Sequence, residues 1–132
     1  MDNFKLKIIT PDRVFFDKDA YMVELNTTEG EIGVYKNHIP LTTVLAPGVV
    51  TIHKDGADKV IAAVHSGFAE ILPDKVTLLA EVAEWPEEID QSRAEAALER
   101  AKERIAQRSS ETDIARAETA LMRAMARISV LK

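Results

Sequence analysis

Glu84-Trp85-Pro86-Glu87-Glu88-Ile89-Asp90-Gln91-Ser92-Arg93-Ala94 is the stretch at which one kind of polypeptide gives way to another. All 7 aromatic residues lie at or before Trp85, all 5 glycines lie between Gly30 and Gly67, and Pro86 is the last of 5 prolines. The 46 residues after Pro86 contain none of these. Charge divides at the same place. The first 86 residues hold 8 Lys and Arg against 13 Asp and Glu, whereas the remainder holds 9 against 9. Only Arg13 precedes the boundary; seven arginines lie beyond it.

Upstream, the residues predict short strands closed by turns. Phe4-Lys5-Leu6-Lys7-Ile8 alternates with period two, as a half-buried strand does, and Pro11-Asp12 interrupts it. Val14-Phe15-Phe16 and Tyr21 to Leu25 read as further strands, with a turn at Thr27-Thr28-Glu29-Gly30. Val49 to His53 and Lys59 to Val64 flank the hairpin signal Asp55-Gly56. Ala69 to Leu72 and Val76 to Ala80 flank Pro73-Asp74. Val34 to Pro47 is less regular and reads as a loop with one short strand. Residues 1–85 are thus expected to form an antiparallel β-sandwich or barrel, with Trp85 covering the junction to the C-terminal part.

Downstream, residues 86–132 predict an antiparallel two-helix hairpin. Ala, Glu, Arg, Leu and Gln favour helix. Pro86 suits a first helical position, and Glu87, Glu88 and Asp90 complement the N-terminal dipole. One apolar face carries Ala94, Ala97, Leu98, Ala101 and Ile105; the other carries Ile114, Ala117, Leu121, Ala124, Met125 and Ile128. Ser110 and Asp113 match a capping box between them. Alanine faces bring helix axes close but bury little area, so the hairpin should be marginally stable alone.

Arg93, Arg100 and Arg104 stand at i, i+7 and i+11, and Arg116, Arg123 and Arg127 repeat that spacing. At 3.6 residues per turn each trio keeps within ~20° of a straight line. An antiparallel pairing places Arg93 near Arg127 and Arg100 near Arg123, with Asp90 at the same end. Arginines suit bidentate contact with phosphate or carboxylate. The competing reading is a solvated face, with Glu95, Glu99 and Glu103 nearby.

The rest narrows the function class. At 132 residues and 14.6 kDa one core and a small appendage can form. There is no Cys, so disulfides and thiolate metal sites are excluded. The N-terminus has no signal-peptide pattern, and no apolar run approaches the roughly 18 residues of a membrane span. A pI near 5.2 argues against nucleic acid. His53 and His65 sit in strand patterns and read as strand-face residues; His38 reads as a loop histidine. Asp12, Asp17 and Asp19 are explained by turn chemistry. Nothing assembles an acid–base–nucleophile set, so a binding or regulatory module is expected.

The ordered set of motifs resembles the epsilon-subunit family of bacterial F-type ATP synthases. Ile9-Thr10-Pro11-Asp12 resembles its opening strand and turn, and Glu29 to Val34 with His38-Ile39-Pro40-Leu41 resembles its signature loop region. Lys36-Asn37 stands where Pro-Gly is common. Ser66 to Pro73 resembles its later Gly-aromatic stretch, and Asp113 to Val130 its terminal helix. The resemblance implies a non-catalytic rotor subunit whose barrel meets the gamma subunit and the c-ring loops, with Glu31 and His38 in that contact region. It implies a hairpin that folds onto the barrel or extends toward the alpha/beta hexamer and blocks ATP hydrolysis. It also implies ATP as a regulatory ligand of the folded-down hairpin. Ile89-Asp90-Gln91-Ser92-Arg93-Ala94 resembles the family's nucleotide motif, with Glu84, Arg100, Arg123 and Arg127 at matching positions. No metal, nucleic acid or membrane insertion is implied, and the location would be peripheral, on the cytoplasmic face of the bacterial cell membrane. The alternative is an adaptor that binds an acidic partner helix through its arginine stripes.

Overall fold

The computed structural model describes every residue except Met1, Ala57 and residues 108–110, with the side chains of residues 111–112 also set aside. Eight strands come first: β1 Phe4–Thr10, β2 Arg13–Ala20, β3 Met22–Thr27, β4 Gly30–Tyr35, β5 Leu41–Leu45, β6 Gly48–His53, β7 Lys59–Leu72 and β8 Lys75–Glu84. A single 3-10 turn, Pro86–Glu88, leads to α1, Gln91–Gln107, and α2, Glu111–Val130.

The strands form a β-sandwich in the order β2-β1-β8-β7-β5-β3-β4, with β6 bridging β3 and β7. Among the described residues, all pairings are antiparallel except β1 with β8. Period-two patterning sets which side chains enter the core. In β1, Phe4, Leu6 and Ile8 are buried, and they meet Val23, Leu25, Val34, Ile52, Ile71 and Leu78 in one cluster.

β7 runs through a corner. Its first half pairs with β6 and its second with β5, while β8 pairs along both halves. Ala62 and Val64 point into the core before the corner, Ala69 and Ile71 after it. The exchange of faces occurs at Ser66 and Gly67, both at positive φ (32° and 157°). The first half therefore presents Ile61, Ala63 and His65 on the outer side, under the helices.

Sequence patterning located most of these elements but not all their bounds. Val34 to Pro47 holds β5 and the end of β4; the two glycines of Gly30-Glu31-Ile32-Gly33-Val34-Tyr35 dilute the strand signal. Pro86 opens the 3-10 turn rather than α1, which starts after Asp90. The Ser110–Asp113 capping box lies outside the described residues. Met125, expected on the apolar face of α2, is 53% exposed. Ala126 and Val130 face the sandwich in its place, against Ala63, Val49, Ile61 and Ile89. Ala94 and Ala101 of α1 and Ala117 and Ala124 of α2 are buried. Each contributes only about one methyl group of apolar burial, under roughly 1 kcal/mol.

A Cβ on Gly67 would strike the carbonyl oxygen of Leu79 on the adjoining strand. Gly67→Ala should lower stability by about 1–3 kcal/mol in urea denaturation, because backbone rather than a flexible side chain must yield.

Candidate functional site

The junction between sandwich and helices is tightly tied. Trp85 stacks on Phe15 at 4.2 Å between ring centroids. The Trp85 backbone N–H donates to Glu88 Oε1 at 2.9 Å, and Arg13 Nη2 donates to the same oxygen at 2.8 Å. Arg13 also donates to the Ala83 carbonyl at 3.2 Å. Arg13 first, and then the Trp85 N–H, hold the Glu88 carboxyl below its usual range. Ile89 is next, in extended conformation (φ −97°, ψ 127°). Asp90 then caps α1: its Oδ1 accepts from the Arg93 N–H at 3.1 Å, and its carbonyl accepts from the Ala94 N–H at 3.0 Å.

Beyond this turn a cavity of about 350 Å³ opens along the seam between sandwich and hairpin. Glu84, Glu88, Ile89, Asp90, Arg93, Ala94, Ala97, Arg100 and Arg127 line it. The small Ala94 and Ala97 leave the space open. Each acid is already engaged: Glu88 by Arg13, Asp90 by the start of α1, and Glu84 by two donors. His65 Nε2 lies 3.0 Å from Glu84 Oε1, and Arg127 Nε donates to that oxygen at 2.7 Å. Among the described residues, Arg93 and Arg100 have no anionic partner. The cavity thus pairs engaged acids with solvent-facing guanidiniums that have no anionic partner among the described residues, and its chemical preference is for an anion.

Seven of the eight nucleotide-site residues expected from sequence therefore come together here: Glu84, Ile89, Asp90, Arg93, Ala94, Arg100 and Arg127. Arg123 stands apart. Its Nη2 lies 3.3 Å from Glu81 Oε2, and it lines a neighbouring hollow with Arg116 and Arg127. Arg93, Arg100 and Arg127 line one hollow and Arg123 the adjoining one, with Ala97 and Arg127 common to both. Glu31 is exposed near the start of β4, and His38 lies past its other end, with Nδ1 2.6 Å from the Ile39 carbonyl. The two lie at opposite ends of that strand, away from the cavity. Sequence reading did not single out His65, Glu88 or Glu81 as part of this seam. A buried histidine within a strand gives no local sign of a partner 19 residues away.

The hydrogen bond from His65 is the largest cause of a lowered Glu84 pKa, with Arg127 adding to it and burial opposing both. A lowered pKa stabilises the state in which it is lowered. His65 stays beside Glu84 when the hairpin lifts, so only the part due to Arg127 stabilises docking, and it is fully present above the ordinary value of 4.5. That contribution disappears as pH falls through the lowered value. Probes on the sandwich and α2 should report docking that is insensitive to this group above pH 4.5 and weaker below it. Glu84→Gln should remove that acid-dependent part. Arg127→Ala should cost about 1–3 kcal/mol of docking, since it strips one donor from a half-buried carboxylate.

The sequence model of the ATP synthase delta/epsilon chain β-sandwich domain matches residues 3–86, and that of the long α-helix domain matches residues 87–132. The ATP synthase epsilon chain of Caldanaerobacter subterraneus subsp. tengcongensis is 48% identical over 108 residues, covering 81% of this chain and 78% of its own. That of Bacillus subtilis is 45% identical over 109 residues, covering 83% and 82%. A chain in the cryo-EM structure of Euglena gracilis mitochondrial ATP synthase (OSCP/F1/c-ring, rotational state 1) superposes with a TM-score of 0.86 at 26% identity, covering 98% of this chain and 82% of that one. A chain of the Tetrahymena thermophila central stalk and c-ring shares the fold, with a TM-score of 0.67 at 11% identity. With both domains matched in order along nearly the whole chain, the protein belongs to the ATP synthase delta/epsilon chain family, as an epsilon-type subunit.

Proposed function

We propose that this chain is a non-catalytic rotor subunit whose hairpin is held down by ATP. The observation that carries the reading is the cavity in which Arg93 and Arg100 from α1 and Arg127 from α2 converge beside Glu84 of β8. Its walls come from the sandwich and both helices, so it is complete only while the hairpin is docked. A ligand that bridges them stabilises the docked state by its differential affinity. In this reading the guanidiniums hold the polyphosphate. Glu84 or Asp90 accepts from the adenine amino group or the ribose. Lifting the hairpin destroys the cavity and frees the arginines for acidic surfaces of the alpha/beta hexamer, the inhibitory position.

The sandwich supplies the docking surface in this proposal. Ile9, Leu79, Phe68 and Val44 stand in register across β1, β8, β7 and β5. Leu79, Phe68 and Val44 are exposed, an arrangement that suits a protein partner. We assign this row to the gamma subunit, with Glu31 and His38 toward the c-ring loops. The complex would lie peripherally on the cytoplasmic face of the bacterial cell membrane. No described helix is long and apolar enough to cross a membrane.

Isothermal titration of the full chain should show ATP binding, weakened about tenfold or more by Arg93→Ala or Asp90→Ala, as expected for loss of charge-assisted contacts. Absence of heat at millimolar ATP would sink the nucleotide assignment. Separately, the chain should copurify with gamma, and Phe68→Asp should abolish this. Retained copurification would move the docking face elsewhere. Salt-sensitive capture of an acidic helix without gamma would favour the adaptor alternative.

A further inference from the structure

His65 is completely buried in β7, with its outer neighbours Ile61 and Ala63 beneath the hairpin. Its Nε2 is 3.0 Å from Glu84 Oε1. A carboxylate only accepts, so Nε2 carries a proton in this contact. Nδ1 is buried too and has no hydrogen-bond partner among the described residues. Leaving it unpaired is unfavourable. The fold keeps a histidine here nonetheless, with one nitrogen committed to a residue of the cavity wall.

The arrangement acquires a purpose when the owners of the three groups are compared. His65 and Glu84 both belong to the sandwich, on adjoining strands; Arg127 belongs to the hairpin. Arg127 also lines the cavity together with Arg93 and Arg100. Arg127 spends only its Nε–H on Glu84, so its Nη groups are free to meet an incoming anion, and the further the guanidinium turns toward that anion the weaker its bond to Glu84 becomes. Without a second donor Glu84 would then be a half-buried carboxylate lacking a partner, and would either take up a proton or pull Arg127 back. Neither suits an anion site whose wall must stay an acceptor.

We propose that His65 is a positioning residue of the cavity: its Nε2–H holds Glu84 ionised and aimed, so that Arg127 can turn from Glu84 to a bound anion. This rests on the nucleotide reading above and extends it to a residue that never touches the ligand. The charged groups around the pair are Arg13 on β2, Glu84 on β8, Glu88 in the 3-10 turn, Asp90, Arg93 and Arg100 at or along α1, and Arg123 and Arg127 on α2. Among these, only Arg127 shares the bonded oxygen of Glu84 with His65. The lowered Glu84 pKa, with His65 as its first cause, agrees with this geometry. The bond also survives hairpin lifting, because neither partner leaves, so Glu84 stays preset for the next docking.

The test compares the full chain with His65→Leu, which keeps bulk without a donor, and His65→Gln, whose amide places an N–H at comparable reach. Two quantities are read across pH: ATP affinity by calorimetry, and the titration midpoint of the Glu84 side-chain carboxyl by carbon NMR. His65→Leu should weaken ATP binding roughly tenfold or more. It should also move both the acid limb of binding and the Glu84 midpoint to higher pH. His65→Gln should restore most of both, which a purely space-filling role does not explain. Unchanged affinity and an unmoved midpoint in His65→Leu overturn the proposal, as does a His65→Gln variant that behaves like His65→Leu. If the wild-type chain takes up no ATP, the nucleotide reading falls, and the Glu84 midpoint alone decides for or against His65. If His65→Leu does not fold, nitrogen NMR of the wild-type imidazole at pH 8 decides. A proton on Nε2 is expected, and a proton on Nδ1 alone overturns the assignment.

Discussion

One carboxylate oxygen joins the two halves of this chain. Glu84 Oε1 accepts from His65 below and from Arg127 above; the other ion pair between α2 and β8 among the described residues, Arg123 with Glu81, is more exposed. A half-buried carboxylate is costly to leave unpaired. The two donors therefore constrain each other through it: Arg127 cannot leave without changing what His65 must do. Ala126 and Val130 meet Ala63, Val49, Ile61 and Ile89 on a narrow strip, and the buried contact between the helices is built on alanine. The polar seam adds to this apolar strip in holding the hairpin down, and a polar seam responds to ions in a way that a leucine interface does not.

The remainder of the junction confines where movement can occur. Trp85 is clamped by Phe15, and Glu88 is held by Arg13 and the Trp85 N–H. Asp90 starts a helix of 17 residues. Between these fixed points stands extended Ile89. A hinge at that residue would swing α1 and α2 while leaving the sandwich, the exposed Val44–Phe68–Leu79 row and the His65–Glu84 pair untouched. Rotor docking and nucleotide response would then be physically separable in one small chain, the first belonging to a rigid sheet and the second to a weakly packed appendage.

Much of this was legible in the residues, for identifiable reasons. The loss of aromatics, glycine and proline after Pro86 reports a change from strand to helix directly. Of the cavity wall, Asp90, Arg93 and Arg100 were legible from helical spacing, whereas Glu84, Ile89 and Ala94 were expected as site residues only from the family resemblance. Arg127 was foreseeable from the repeated stripe and the antiparallel rule. What was hidden depended on pairings across distance. His65 meets Glu84 only because β7 and β8 lie side by side, and the corner at Ser66–Gly67 decides that His65 faces the helices. β4 was obscured by its glycines. Met125 misled because α2 has two buried faces, one toward α1 and one toward the sheet, and a single helical stripe does not describe both.

An anion held by Arg93, Arg100 and Arg127 is proposed to lock the hairpin onto the sandwich. The most direct measurement is the distance between a probe on the sandwich and one on the outer face of α2 while ATP is added to the full chain. ATP should increase the docked, short-distance population, and Arg93→Ala should blunt the response. A hairpin whose position is unchanged while ATP demonstrably binds would contradict the lock.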